Sequence, residues 1–284
     1  MINIFIAGAS GFIGKHLLDN LINYNKIYLY KRDLDKLGEE YQNKNNLICF
    51  EKQHNLIIFD YVINCIANTN TSNTNWKDLY ESNCLTNLKL IEDLKYYYYI
   101  YLSTFSIYSE KSILLKYPDP NNLYGLSKYI SEKIIQQKSN PNSISIILRL
   151  PIVIGKQKRQ SDIVNFFYNK LIKDEEIEIF EGGKLLRNLI HYTEIVKVIS
   201  AIIKYKPFAD KYIIHHINSS NTMSVEKICD YIKSKIGSSS KIIVTNKKTK
   251  NDFNSLIIDN LISLKNYKEQ SVIDNIDEYL KEYI

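Results

Sequence analysis

Cysteine is scarce and unpaired in pattern: four residues, Cys49, Cys65, Cys84 and Cys229, with no C-x-x-C among them. This fits reduced thiols in a core and argues against a disulfide framework or a zinc site. No run approaches the ~18 consecutive apolar residues that a membrane span requires. The opening MINIFIAG has no basic leader and runs into glycine, so it reads as a buried strand rather than a signal peptide, and a cytosolic protein is expected. There is no internal repeat and no long low-complexity linker. One-sided charge is also lacking. With 37 Lys+Arg against 31 Asp+Glu the formal charge is +6, spread along the chain apart from two short clusters at Lys156–Arg159 and Lys247–Lys250. Neither has the size of a nucleic-acid-binding arm.

What is present suits a globular enzyme. The 284 residues, 45% hydrophobic and 24% charged, can bury a large core and exclude global disorder. Short apolar runs alternate with segments of helical period, as βαβ units on a parallel sheet do. Strands are expected at 2–7, 26–31, 47–50, 60–65, 99–103 and 144–149, with helices near 12–24, 76–94 and 123–138. The Tyr96–Tyr99 run reads as the entry to a strand, because tyrosine favours strands and the apolar Ile100–Leu102 follows. Beyond about residue 150, 161–173, 193–204, 224–236 and 273–283 look helical, and 177–180, 188–191, 212–217 and 241–245 look extended. The adjacent His215 and His216 would face opposite sides of a strand, which suits structural roles better than a shared metal.

The first strand leads into Gly8-Ala-Ser-Gly11-Phe-Ile-Gly14 and then a helix. In that context glycines permit the turn, let a diphosphate approach the backbone and let helix pack on strand, while N–H groups at the helix start hold phosphate. Gly8, Ser10, Gly11, Phe12, Ile13 and Gly14 are therefore the expected dinucleotide contacts. At the end of the second strand stand Lys31 and Arg32. A guanidinium there can grip a 2′-phosphate, which favours NADP(H); Asp33, the next residue, is the acidic alternative that would serve NAD(H).

Ser103 and Thr104 close a later strand, and Tyr124-Gly-Leu-Ser-Lys128 follows on a helix. Tyr124 and Lys128, i and i+4, share one helical face. An ammonium beside a phenol lowers its pKa, the pairing needed for proton transfer at a carbonyl or carbinol, and Thr104 can bond the same substrate oxygen.

These motifs, in this order, resemble the extended short-chain dehydrogenase/reductases, the NAD-dependent epimerase/dehydratase family that acts on nucleotide sugars. Further matching pieces are Asp60–Ala67, Asn83, Arg149–Gly155 and Gly182–Glu194. The resemblance implies an α/β fold: a Rossmann doubly wound parallel sheet, mainly 1–155, with a small mixed α/β C-terminal substrate lobe, mainly 156–284, from which parts of 186–217 return to the sheet. It implies a catalytic Thr104–Tyr124–Lys128 triad, Asn83 as a helix-kink or water-relay residue, and cofactor contacts from Ala67, Asn83, Tyr124 and Lys128. It also implies a substrate diphosphate held by Arg187, with Thr104 on the sugar, and a homodimer formed through two helices per subunit. Neither nucleic acid nor membrane is an expected partner.

Departures from the family narrow the chemistry. Dehydratases carry an Asp-Glu pair after the catalytic Thr, where Phe105 and Ser106 stand here. The combined epimerase-reductases carry a Cys where Ser106 stands. Simple hydride chemistry remains. With Lys31 and Arg32 it points to NADPH-dependent reduction of a 4-keto group on a nucleotide sugar. The alternatives are an NAD-dependent nucleotide-sugar 4-epimerase and, from another class, a non-catalytic NADP(H)-binding sensor or partner protein.

Overall fold

A computed structural model describes residues 1–23, 25–51, 56–69, 75–109, 112, 117–156, 162–206, 210–248 and 267–283. The chain begins β1 (Asn3–Ala7), α1 (Phe12–Leu21), β2 (Lys26–Leu29), α2 (Lys31–Leu34), α3 (Glu39–Gln42), β3 (Leu47–Cys49) and β4 (Ile58–Asn64). Next come α4 (Trp76–Leu79) and α5 (Thr86–Asp93), joined by a π-helical turn at Tyr80–Leu85, then β5 (Lys95–Thr104), a 3₁₀ turn at Phe105–Ile107 and α6 (Leu123–Lys138). The later elements are β6 (Ile144–Leu150), β7 (Ile152–Ile154), α7 (Ile163–Leu171), β8 (Ile177–Ile179), β9 (Leu186–Arg187), β10 (Leu189–His191) and α8 (Tyr192–Tyr205). The chain continues with β11 (Tyr212–His216), β12 (Met223–Ser224), α9 (Val225–Ile236), β13 (Ile242–Val244) and α10 (Val272–Lys281).

Seven strands form one parallel sheet in the order β11-β6-β5-β4-β1-β2-β3. Strands covered on both faces are nearly continuous apolar runs, and alternate residues of β1 show why. Ile4 and Ile6 pack with Leu17 and Leu18 of α1 and Ile195 and Val198 of α8. Phe5 and Ala7 face the other way, toward Leu90 of α5 and Ile135 of α6. The direction of strand addition reverses between β1 and β4, so the crevice at their C-terminal ends is the place where a ligand is bound in such sheets. The architecture is the expected Rossmann-like α/β fold.

A second core gathers Val164 and Phe167 of α7, Ile228 and Ile232 of α9, Val272 and Ile276 of α10, and Ile177 and Ile179 of β8. Short two-stranded pairs, β7 with β10, β8 with β13 and β9 with β12, frame it.

Several boundaries differ from expectation. The second strand stops at Leu29, and Lys31 and Arg32 open the short helix α2 instead of ending the strand. The helix foreseen at 76–94 is broken by the π turn. The strand foreseen at 99–103 begins at Lys95 and takes in the tyrosine run, burying Tyr96 and Tyr99 while Tyr97 faces out.

The π turn positions two asparagines against α6. Asn83 Nδ2 donates to Ser127 Oγ (2.9 Å), and Asn87 Nδ2 donates to the Ser131 carbonyl (3.3 Å). Ser131 Oγ donates back to the Asn83 carbonyl (2.9 Å). The π turn and α5 are thus joined to α6 by buried polar rungs one helical turn apart.

Candidate active site

The glycine loop sits where β1 meets α1. Gly8 has φ of +80°, and a Cβ there would stand 3.0 Å from Ile66. At Gly14 a Cβ would lie 2.1 Å from the Gly8 carbonyl oxygen, so only glycine lets α1 start this close to the strand. No side chain caps the start of α1. Its first N–H groups, at Phe12 and Ile13, are those a diphosphate would use.

The α2 turn swings Asp33 under this loop. Its carboxylate, 2% exposed, accepts from Gly8 N (3.0 Å), Ser10 N (3.4 Å) and Ser10 Oγ (2.6 Å). Lys31 and Arg32, on the same turn, point to solvent. The sequence offered basic and acidic residues side by side, and the fold turns the acid inward.

Across the switch point, the segment after β4 is held by side-chain amides. Asn64 Oδ1 accepts from Ile66 N (3.0 Å), and Asn83 Oδ1 accepts from Asn68 N (2.7 Å) while its Nδ2 donates to the Asn68 carbonyl (3.2 Å). Exposed Ala67 lies between these anchors. Asn83 was expected to touch the cofactor. Both N–H donors of its amide are committed, to Asn68 and Ser127, so here it shapes the crevice wall.

Thr104 closes β5, and Tyr124 and Lys128 stand one turn apart at the start of α6, with Tyr124 hydrogen-bonded to Thr104. Thr104 Oγ1 caps the 3₁₀ turn by accepting from Ser106 N (3.1 Å). Asn122 caps α6 by accepting from Gly125 N (2.8 Å), which sets Tyr124 in the first turn. At Gly125 a Cβ would stand 1.9 Å from the Ser106 carbonyl oxygen, so the helix start rests directly on the backbone that follows Thr104.

Electrostatics are set mainly by burial. The Tyr124 phenol is pushed up to about 12 by desolvation, with a hydrogen bond to Thr104 pulling the other way. Lys128, 1% exposed, is drawn down to about 7 by desolvation, against the attraction of Glu132. Its Nζ lies 4.0 Å over the Tyr101 ring and has no hydrogen-bond partner among the described residues. The groups that act on the phenol here are its own burial, which raises its pKa, and Thr104, which lowers it. Cys65 feels Lys128 and Asp33 together, so its thiol lies within electrostatic reach of both ends of the crevice.

Arg187 is carried by the C-terminal lobe on β9, where it is buried and donates from Nη1 to the Leu186 carbonyl (3.0 Å). His216 bonds Tyr108 Oη (2.8 Å), and His215 is buried, its pKa pulled down to about 4 by desolvation. Of the two basic clusters, Lys156 donates from its backbone N to the Glu282 carboxylate (2.5 Å) and Lys247 pairs with Glu178 (2.6 Å). Residues 157–161 and 249–250 lie outside the described residues. Glu132, with no assigned role in the sequence reading, continues the Tyr124–Lys128 spacing by one more turn; that i+4 step was the available signal.

The sequence model of the NAD dependent epimerase/dehydratase family matches residues 4–214. The chain belongs to this family. As an NAD dependent epimerase/dehydratase family member it is an NAD(P)-dependent enzyme of the extended short-chain dehydrogenase/reductase type. A Methanocaldococcus jannaschii protein, provisionally named a UDP-glucose 4-epimerase, is 27% identical over 263 residues, covering 82% of each chain. Two solved structures share the fold. The UDP-glucuronic acid 4-epimerase of Bacillus cereus, in complex with UDP-glucuronic acid and NAD, superposes with a TM-score of 0.81 at 20% identity, covering 100% of both chains. The UDP-N-acetylglucosamine 4-epimerase of Methanobrevibacter ruminantium, in complex with UDP-N-acetylmuramic acid, gives 0.81 at 18% identity, covering 99% of this chain and 98% of that one. Among the described residues of this family member no helix is long and apolar enough to cross a membrane.

Proposed function

We propose that the protein is a nucleotide-sugar 4-epimerase that works with bound NAD(H). The observation that carries this reading is Asp33. A buried carboxylate at the glycine loop is suited to the ribose 2′-hydroxyl and would repel a 2′-phosphate, while Lys31 and Arg32 lie exposed on the same turn. The name of the Methanocaldococcus relative supports the same choice. Reduction of a 4-keto sugar with NADPH rested on Lys31 and Arg32 at a strand end, and the exposed helical turn they occupy weakens that argument.

The residues present fit a dinucleotide. Gly8, Ser10, Gly11, Phe12, Ile13 and Gly14 would take the diphosphate, Asp33 the adenosine ribose, and Lys128 Nζ, without a hydrogen-bond partner among the described residues, the hydroxyls of the nicotinamide ribose. When bound, this group supplies the acceptor and then the donor of a hydride at the sugar C4. Tyr124 takes the C4 hydroxyl proton and returns it, Thr104 Oγ1 shares that oxygen, and Arg187 is proposed to hold the substrate diphosphate. Two helices per subunit are proposed to pair two copies of the chain.

The test is to denature the purified protein, identify the nucleotide released, and assay interconversion of UDP-glucose and UDP-galactose, then other UDP-sugars, without added cofactor. NAD(H) is expected in the extract, with turnover abolished by Tyr124→Phe. Preferential NADPH binding, erased by Arg32→Ala, would reject the epimerase in favour of the reductase; turnover indifferent to Tyr124→Phe would reject the catalytic triad.

A further inference from the structure

The helical face that carries Tyr124 and Lys128 continues to Glu132, a carboxylate side chain 1% exposed. Its Oε1 accepts from Ser103 Oγ (2.5 Å) and Arg149 Nε (3.1 Å), and its Oε2 accepts from Arg149 Nη2 (2.6 Å). Arg149, on β6, also donates from Nη1 to Tyr108 Oη (2.6 Å), which meets His216 Nε2 (2.8 Å). Burying such an ion pair is an inefficient way to gain stability, because desolvation offsets most of the attraction. Its location suggests what else it does. Ser103 immediately precedes Thr104 at the end of β5, and Glu132 lies one turn beyond Lys128.

We infer that Glu132 is a positioning residue for the reaction: braced by Arg149, its carboxylate ties the Ser103–Thr104 strand end to the helix bearing Tyr124 and Lys128, and from one turn along that helix its charge favours the ammonium form of Lys128. This deepens the triad reading above and rests on it. Among the described residues, four groups act on Lys128. Cys65 reaches it from the end of β4, Cys84 from the π turn, and the Tyr101 ring from β5, while Glu132 shares its helix. Burial raises the pKa of both thiols and of the Tyr101 hydroxyl, so all three are neutral at pH 7. Glu132 is the member of this set that carries charge. Against it works the desolvation that brings Lys128 down to about 7, leaving the amine near its midpoint at neutral pH.

The decisive measurement needs no substrate. Lys128 is titrated by NMR in protein with ¹³C-labelled lysine, its signal assigned by loss in Lys128→Met. In Glu132→Gln the midpoint should fall by at least half a pH unit, about threefold in the protonation equilibrium. In Glu132→Asp, which keeps the charge while shortening the side chain, it should remain near the wild-type value. Equal midpoints in all three proteins, or equal shifts in both variants, would overturn the inference. Ser103→Ala removes one bond and keeps the ion pair, so it serves if Glu132→Gln does not fold. It should leave the Lys128 midpoint in place and lower kcat severalfold at unchanged KM, and an unaltered kcat would reject the positioning role. Tyr124→Phe run alongside separates the two claims: full turnover there retracts the triad but leaves the Lys128 titration as it stands.

Discussion

Gly125→Ala tests the contact that sets the spacing of the triad. In an ordinary helix interior alanine is favoured over glycine by up to ~1 kcal/mol. Here the added methyl would stand 1.9 Å from the Ser106 carbonyl oxygen and 2.7 Å from its carbon. Relief requires helix and turn to separate by about 1 Å, and overpacking of that kind typically costs about 1–3 kcal/mol. After the helix-propensity gain, the net loss is about 1–2 kcal/mol, or a fall in Tm of roughly 2–6 °C for a chain of this size. Activity should suffer far more. The separation falls between Thr104, two residues before Ser106, and Tyr124, beside Gly125, and a misplacement of ~1 Å can cost about 100-fold in rate. Steady-state kcat and a thermal melt on the same preparation check this. A variant with wild-type or higher Tm and kcat within about threefold would refute the argument that the helix start rests on that carbonyl.

Asp33→Ala should weaken NADH binding by about tenfold or more in a calorimetric titration, since Gly8 N and Ser10 lose a charged acceptor and the ribose loses its partner; unchanged affinity would remove the basis for choosing NAD. Lys128→Met should end turnover yet stabilise the cofactor-free protein. Because the folded pKa of Lys128, about 7, lies below that of a free lysine, the folded state carries its full penalty below pH 7 and sheds it as pH rises toward about 10. The gain in Tm should thus be several degrees at pH 6 and shrink by pH 9, and a pH-independent gap would contradict the burial argument. Asn83→Ala leaves the Asn68 N–H and carbonyl and Ser127 Oγ without this partner. Amide exchange at residues 66–69 should accelerate by about tenfold or more, with no change expected in α9; uniform exchange would refute the anchoring role.

The parallel sheet was legible because β1, β4, β5 and β6 are covered on both faces and read as apolar runs. The glycine loop was legible because its spacing answers to a local steric demand at Gly8 and Gly14. The choice between Arg32 and Asp33 was not, since it depends on one helical turn, α2, too short to leave a periodic signal. The π turn has no mark in the local pattern of Tyr80–Leu85; only the resemblance, which implies a helix kink or a water relay at Asn83, pointed there, and the docking of Asn83 on Ser127 and Asn68 accompanies the turn. Glu132 lay in plain spacing beyond Lys128, but its significance comes from Ser103 and Arg149, which are distant in sequence.

The two Asn–Ser rungs that join the π turn and α5 to α6 act as a key. Apolar helix faces tolerate sliding, because one greasy ridge fits a groove much like the next. Here a slip of one turn, about 5.4 Å along the axis, would strand the amides of Asn83 and Asn87 in a dry seam at about 1–3 kcal/mol for each unpaired group, while the hydroxyls of Ser127 and Ser131 would keep the bonds they donate within α6. The phase of α6 is thereby fixed against the sheet, and Tyr124 and Lys128 inherit it. Near misfits of this helix pair are discouraged during folding by the same groups that align the finished site, so alignment of the reacting side chains is a by-product of selecting one docking register over its neighbours.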